Sequence, residues 1–349
     1  MNKLLTNSIL GITSQKDSES LQRAYLSALM VLYDLEEASI CKLVISGNAV
    51  NVEQVIKFEN TNQCQDSVEK CLDDIPKLIS VDAGLKQCTK IKDIVVKELP
   101  QDAVNILIPV LSGGSVISIV SLRAKDSVLH SLDDIKFLSC VYENFYNLIR
   151  ESECDMLTGL YNRRTFDAKL ARMLSIQKSL KQTKLEDWQR TTEQRDFEID
   201  ATAYLVTLDI DFFKRVNDKF GHVAGDEVLL ELSQKMKECF RYTDLLFRFG
   251  GEEFVIVLEP TPASMVWAAL ERFRKAIAEH NFPLVGSVTV SIGYAKIEEN
   301  DYPVTILDYA DKALYYSKEH GRNCINSYEQ LVASGEIERP EVTGSIDLF

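Results

Sequence analysis

Apolar residues at Leu21, Ala24, Tyr25, Ala28, Leu29 and Leu32 recur at helical spacing and predict an amphipathic helix after an irregular start. Strand signals follow. Ile40 to Ser46 is β-rich and stops at Gly47. Asn105 to Leu111 and Val116 to Leu122 are β-branched runs joined by Ser112-Gly113-Gly114-Ser115, which predicts a hairpin. From Ser131 to Arg150 the apolar residues Ile135, Leu138, Tyr142, Phe145 and Ile149 step by three and four, the seam of a helix. Such a seam packs either on a twin in a dimer or on its own domain, and the dimer is the expectation adopted here. The order of helix, strands, irregular middle, hairpin and closing helix predicts an α+β module over residues 1–130, with a dimerising linker helix at 131–153.

Beyond the linker the polar stretch from Lys178 to Asp200 reads as a solvated insertion. Then Tyr204 to Ile210 predicts a buried strand that closes on Asp209-Ile210-Asp211. A strand ending this way puts its first carboxylate at the edge of a sheet, where a hard cation can take it together with a backbone carbonyl. Leu245 to Phe249 and Phe254 to Leu258 predict two further strands, joined at Gly250-Gly251 by a tight turn that needs positive φ, with Glu252 and Glu253 at its exit. Converging on separate strands, Asp209 and these glutamates could share one metal ion.

Composition narrows the classes. The chain has 349 residues, which favours two domains, and its 46% apolar and 26% charged residues are those of a packed globular protein. The net charge of −14 argues against a general nucleic-acid binder or a peripheral membrane protein, so any polyanion must meet a local basic pocket. No apolar stretch reaches the ~20 residues that span a bilayer, and Asn2 to Thr13 lacks the pattern of a signal peptide. The expected location is the cytoplasm. Eight cysteines without a Cys-x-x-Cys pair predict reduced thiols, and the cluster Cys64, Cys71, Cys88 matches no zinc spacing. His130 stands alone in the first half, which argues against a haem or a multi-histidine metal site there.

Five motifs in order carry a specific resemblance. Gly250-Gly251-Glu252-Glu253-Phe254 reproduces the signature of the GGDEF family of diguanylate cyclases in its G-G-E-E-F form. Asp155 to Arg164 is similar to the family's opening motif, and Asp209 to Asp218 with Gly221 to Asp226 is similar to its metal and guanine segment. Ser287 to Gly293 resembles a core strand, and Asp308 to Asn323 resembles the closing helix. The resemblance implies a palm-like catalytic domain at 154–330, a central sheet flanked by helices, followed by a tail at 331–349. It also implies synthesis of cyclic di-GMP from two GTP molecules, one on each protomer of a homodimer. The layout of residues 1–130 resembles a GAF-type sensor domain, whose ligand cannot be read from the sequence.

What the resemblance implies residue by residue agrees with the chemistry of the side chains. Mg²⁺, with Mn²⁺ as a substitute, wants oxygen ligands, and Asp209, the Ile210 carbonyl, Glu252 and Glu253 supply them. Glu252, with Glu253 beside it, is the candidate base for the attacking hydroxyl. The Phe212 and Phe213 amides with Lys214, Lys318 and Arg322 would hold the triphosphate, alongside His222 and the signature glycines Gly250 and Gly251. The Asp226 carboxylate can accept guanine's paired N–H groups and Asn217 completes the base contacts, although Asp226 could instead cap a helix after Gly225. Arg241-Tyr242-Thr243-Asp244 resembles the family's R-x-x-D inhibitory site, where cyclic di-GMP would bind with help from Arg272. The competing readings are a silent receptor for GTP or cyclic di-GMP and a cyclase for mixed or adenine cyclic dinucleotides. The intact signature and the acidic Asp226 argue against each in turn.

Overall fold

The computed structural model describes residues 2–46, 49–60, 77–79, 82–175, 201–241, 243–298 and 302–338. It divides into two units, Met1–Glu153 and Cys154–Phe349. The stretch expected to be an insertion, and with it Cys64, Cys71, Tyr242 and most of the tail, lies outside the described residues.

The first unit runs α1 (Asn2–Thr13), α2 (Ser18–Tyr33), β1 (Glu37–Ser46), β2 (Ala49–Glu59), β3 (Lys77–Ile79), α3 (Ala83–Ile91), β4 (Val95–Leu99), β5 (Ala103–Ser112), β6 (Ser115–Lys125) and α4 (Leu132–Glu153). Its six strands form an antiparallel sheet in the order β3-β2-β1-β6-β5-β4. The hairpin of β5 and β6 turns at Gly113 and Gly114, with φ of 56° and 77°, the pair of positive angles that a two-residue turn of this hand requires. Residues 103–110 of β5 are buried at almost every position because both faces of the sheet are covered. One face meets α1, α2 and α4; the other carries a smaller cluster of Cys41, Val52, Leu85, Cys88, Val95, Leu107 and Ile119 that includes α3.

Two expectations are corrected here. The start of the chain is helical rather than irregular, because Leu5, Ile9 and Ile12 fall on one face and pack on the main core. The seam of α4 is no free dimer face. Ile135, Leu138, Tyr142 and Ile149 are buried, and Phe145 partly so, in the unit's own core. The Tyr142 ring stacks on Tyr25 with centroids 4.2 Å apart, and Tyr25 shares a 2.7 Å hydrogen bond with Ser139. Burying such side chains is worth about 1.5–3 kcal/mol each, so exposing the seam to a twin would unfold this layer first. At the end of α4 the buried Glu153 accepts hydrogen bonds from the Ser18 amide and hydroxyl at 3.1 and 2.7 Å, which secures α4 to α2. Burial also pushes the Cys88 thiol up to about 11, which leaves it protonated and unreactive at neutral pH.

The second unit contains β7 (Tyr161–Asn162), a helix over residues 166–175 (α5), β8 (Ala201–Ile210), α6 (Phe213–Phe220), α7 (His222–Cys239), β9 (Leu245–Gly250), β10 (Glu253–Pro262), α8 (Ala263–Ala278), β11 (Val290–Lys296), α9 (Pro303–Glu319), β12 (Ile325–Ser327) and α10 (Tyr328–Ala333). Its mixed sheet has the order β12-β11-β8-β10-β9-β7, parallel at its two outer pairs and antiparallel within. The alternation along β8 sorts its side chains. Tyr204, Val206, Leu208 and Ile210 join α6, α7 and α8 in one core, while Ala203 and Leu205 join α5, α9 and α10 in the other. By the same period Asp209 belongs to the α9 side. Gly293 lets α9 lie directly on β11, since a Cβ there would stand 2.1 Å from the Leu314 nitrogen and 2.3 Å from the Ala310 oxygen.

Candidate active site

The carboxylates converge where β8, β10 and the end of α9 meet. Asp209 pairs in register with Glu253 on β10 and with Ser291 on β11. The turn itself consists of Gly251, with φ 53°, and Glu252, while Glu253 already opens β10, one residue earlier than the sequence pattern placed it. Ser317 bonds the Ile292 carbonyl at 2.8 Å, which docks the last turn of α9 on β11, and Lys318 then reaches Asp209 at 2.7 Å.

Electrostatics follow from this crowding. Burial pushes the Asp209 carboxyl up, the Lys318 ammonium opposes that, and Glu253 and Asp211 add to the upward shift. The Glu252 carboxyl is pushed up by burial and by the charge of Asp209. Among the described residues no three His, Cys, Asp or Glu side chains already close into a metal-binding group. The donor set nevertheless suits a hard cation. It is all oxygen, it is crowded with like charge, and its deepest member already holds a cationic ammonium.

Asp211, two residues on, does something else. Its buried carboxylate accepts from Thr289 Oγ1 at 2.7 Å, Ser291 Oγ at 2.6 Å and the Asn323 amide at 3.0 Å. It fastens β11 and the loop after α9 to the end of β8. That loop, Gly321-Arg322-Asn323, has three successive positive φ angles of 105°, 60° and 47° and carries Arg322. The Arg322 guanidinium lies 4.6 Å from the centroid of the Phe212 ring. Phe212 also has a left-handed backbone, φ 57° and ψ 28°, and caps α6 without a side-chain bond; its carbonyl takes the Arg215 amide at 2.8 Å, and the Phe213 and Lys214 amides get no side-chain partner from the cap. A non-glycine residue held there stores roughly 1–3 kcal/mol of strain, and such strain concentrates at functional sites.

The remaining candidates are placed as follows. Lys214 is exposed on the first turn of α6. Asn217 packs against Gly225, where a Cβ would stand only 2.0 Å from its Oδ1. Gly221, with φ 85°, is the N-cap of α7, so the exposed Asp226 lies on the second turn of that helix and is not its cap. His222 is the exposed first residue of α7. Away from this edge, Arg241, Asp244 and Arg272 line one cleft of about 200 Å³ with an apolar wall that includes Leu258, Met265 and Ala268. Both Asp244 oxygens already take backbone amides, of Arg241 at 2.8 Å and Glu259 at 3.1 Å, so they are less free for a ligand than the sequence suggested. Arg272 donates to the Cys239 carbonyl at 2.8 Å.

Sequence reasoning also missed a brace beneath the turn. Arg248 donates from Nε and Nη2 to the Gly251 carbonyl at 3.2 and 2.9 Å, and from Nη1 to Asp155 at 3.0 Å. Asp155 in turn accepts from the Thr158 amide and hydroxyl. Burial works against its charge, but the Thr158 and Arg248 hydrogen bonds prevail and hold the carboxyl below the usual range. The Asp155 to Thr158 spacing was a legible signal for a local turn; the reach of Arg248 was not.

Residues 152–324 match the family model described as diguanylate cyclase, GGDEF domain. The second unit is a GGDEF domain. Diguanylate cyclase A of Treponema denticola is 32% identical over 243 residues, 66% of this chain and 61% of that protein. The response regulator PleD of Caulobacter vibrioides is 36% identical over 177 residues, 49% of this chain and 35% of that protein. The chain thus spans less than two thirds of the length of either relative. The GGDEF domain of DgcB from Caulobacter crescentus, solved in complex with c-di-GMP, is 30% identical with a TM-score of 0.44, over 52% of this chain and 98% of that one. Among the described residues no helix of the chain is long and apolar enough to cross a membrane.

Proposed function

We propose that the chain is a diguanylate cyclase that condenses two GTP molecules into cyclic di-GMP and two pyrophosphates. The observation that carries this reading is the carboxylate edge of Asp209, Glu252 and Glu253 beside Lys318 and the strained Phe212 loop, within a domain of the matching family. The Asp209 carboxylate, the Ile210 carbonyl, Glu252 and Glu253 are the groups that would hold Mg²⁺ or Mn²⁺. When bound, the cation supplies positive charge for the phosphoryl oxygens and acidifies the attacking hydroxyl.

The chain's own residues do the rest. Lys214, Lys318 and Arg322 neutralise the triphosphate, with the free amides at the start of α6 adding donors. Asn217 and Asp226 read guanine, and the acceptor carboxylate of Asp226 disfavours adenine, which offers no matching donor pair. Glu252, at the exit of the turn beside Asp209, is the candidate acceptor of the 3′-hydroxyl proton. One domain presents one such edge, so two copies must face each other, and the homodimer is part of the mechanism. The first unit is read as a GAF-like sensor; its six-stranded antiparallel sheet with helices on both faces supports that layout. The cleft of Arg241, Asp244 and Arg272 is read as the site of product inhibition, with the two guanidinium groups as its main donors.

Incubation of the chain with GTP and Mg²⁺, followed by chromatography of the products, tests the reading. Cyclic di-GMP alone from a GTP and ATP mixture is expected; no cyclic product would refute it. Specific activity should fall on dilution, and Arg241→Ala should lose inhibition by cyclic di-GMP while keeping its initial rate.

A further inference from the structure

The α6 helix carries two cations that the catalytic reading leaves unused. Arg215 and Lys219 are one turn apart on one helix, a like-charged spacing that is unfavourable on a bare helix. Among the described residues neither forms an ion pair, in a chain of net charge −14. Each lies instead over an aromatic ring. Arg215 is 4.4 Å from the centroid of Phe212, and Lys219 is 4.6 Å from that of Phe220. Both rings are well exposed, Phe212 at 48% and Phe220 at 36%. Between this face and the segment Val285 to Thr289 lies a groove of about 220 Å³. The one acid in its lining is Asp211, whose oxygens are already committed to Thr289, Ser291 and Asn323.

We propose that this groove is a second anion site, for a small phosphate-bearing anion held by Arg215 and Lys219. A groove of about 220 Å³ has room for a diphosphate, and its two cations suit that charge. Its wall includes Phe212, whose ring centroid lies 4.4 Å from the Arg215 guanidinium and 4.6 Å from that of Arg322. A diphosphate leaving Lys318 and Arg322 would thus find a second pair of cations beside the same ring. The choice of pyrophosphate as probe rests on the cyclase reading; the groove itself does not.

The test is titration calorimetry of inorganic pyrophosphate into the full chain at low salt, without GTP or divalent metal. Arg215→Gln/Lys219→Gln should lose one bound equivalent or at least tenfold in affinity, while Lys318→Gln should retain that equivalent. Ser287→Glu, which adds a carboxylate from the opposite wall, should lose it as well, and guards against misfolding of the double variant. Absence of binding to the unaltered chain would overturn the proposal, as would binding unchanged in Arg215→Gln/Lys219→Gln and Ser287→Glu, or binding lost only in Lys318→Gln. An active cyclase with unchanged pyrophosphate binding in these variants refutes the groove alone. A chain that makes no cyclic di-GMP yet loses pyrophosphate on Arg215→Gln/Lys219→Gln keeps the groove and refutes the cyclase.

Discussion

Asp209 and Asp211 are two residues apart and chemically identical, yet the structure gives them opposite jobs, and replacing Asp211 separates these. Its carboxylate accepts three hydrogen bonds, from Thr289, Ser291 and the Asn323 amide. Bonds to a charged group contribute about 1.5–3 kcal/mol each, but the two hydroxyls can rotate toward other acceptors while the amide cannot. Asp211→Ala is therefore expected to cost about 3–5 kcal/mol, below the plain sum of three bonds. Asp211→Asn should cost only about 1–2 kcal/mol. Its oxygen can keep Thr289 and Asn323, which share Oδ2, while its amide faces Ser291, whose hydroxyl can turn to accept. Urea unfolding of the second unit followed by circular dichroism measures both. Because Asn323 anchors the loop that carries Arg322, Asp211→Ala should raise KM for GTP more than it lowers kcat, and Asp211→Asn, which keeps that bond, should do so less. If Asp211→Ala unfolds within about 0.5 kcal/mol of the unaltered chain, or if the Asn and Ala variants cost the same, the anchoring argument fails.

Glu252→Gln should abolish turnover and leave the unfolding midpoint unchanged, since the residue sits in a two-residue turn outside the core; near-normal activity in a folded sample removes it from the site. Gly293→Ala should cost about 3 kcal/mol or more, or prevent folding of the second unit, because the new Cβ meets the backbone of α9 and not a movable side chain, and a soluble, normally melting variant would contradict that. Leu138→Ala should destabilise the first unit by about 2–5 kcal/mol, whereas a change confined to dimer affinity would mean that the α4 seam is an interface after all. Asp155, depressed in the folded state, adds stability above the ordinary carboxylate range and loses it as the pH falls through its folded pKa. Acid titration of the unfolding midpoint should therefore be flatter in Asp155→Asn than in the unaltered chain.

The residues assigned to chemistry were legible because each is tied to its neighbours in sequence. An apolar run ending in Asp209, or a Gly-Gly turn followed by two glutamates, declares a strand end and a hairpin within a dozen residues. The residues that hold them in place act across the chain. Asp211 is indistinguishable from Asp209 until Ser291 and Asn323 arrive from 80 and 112 positions away, and Arg248 finds Asp155 across 93. The α4 seam shows the same limit from the other side: a period of three and four announces an apolar face but not its partner, and the partner here is Tyr25, 117 positions upstream of Tyr142. Arg248 bonds both the carbonyl of Gly251, in the turn that holds Glu252, and Asp155, which follows the last residue of α4 by two positions in the chain. Two hydrogen-bonded side chains thus join the start of the second unit to the turn that holds Glu252, a link between positions 93 apart that no local pattern in the sequence announces.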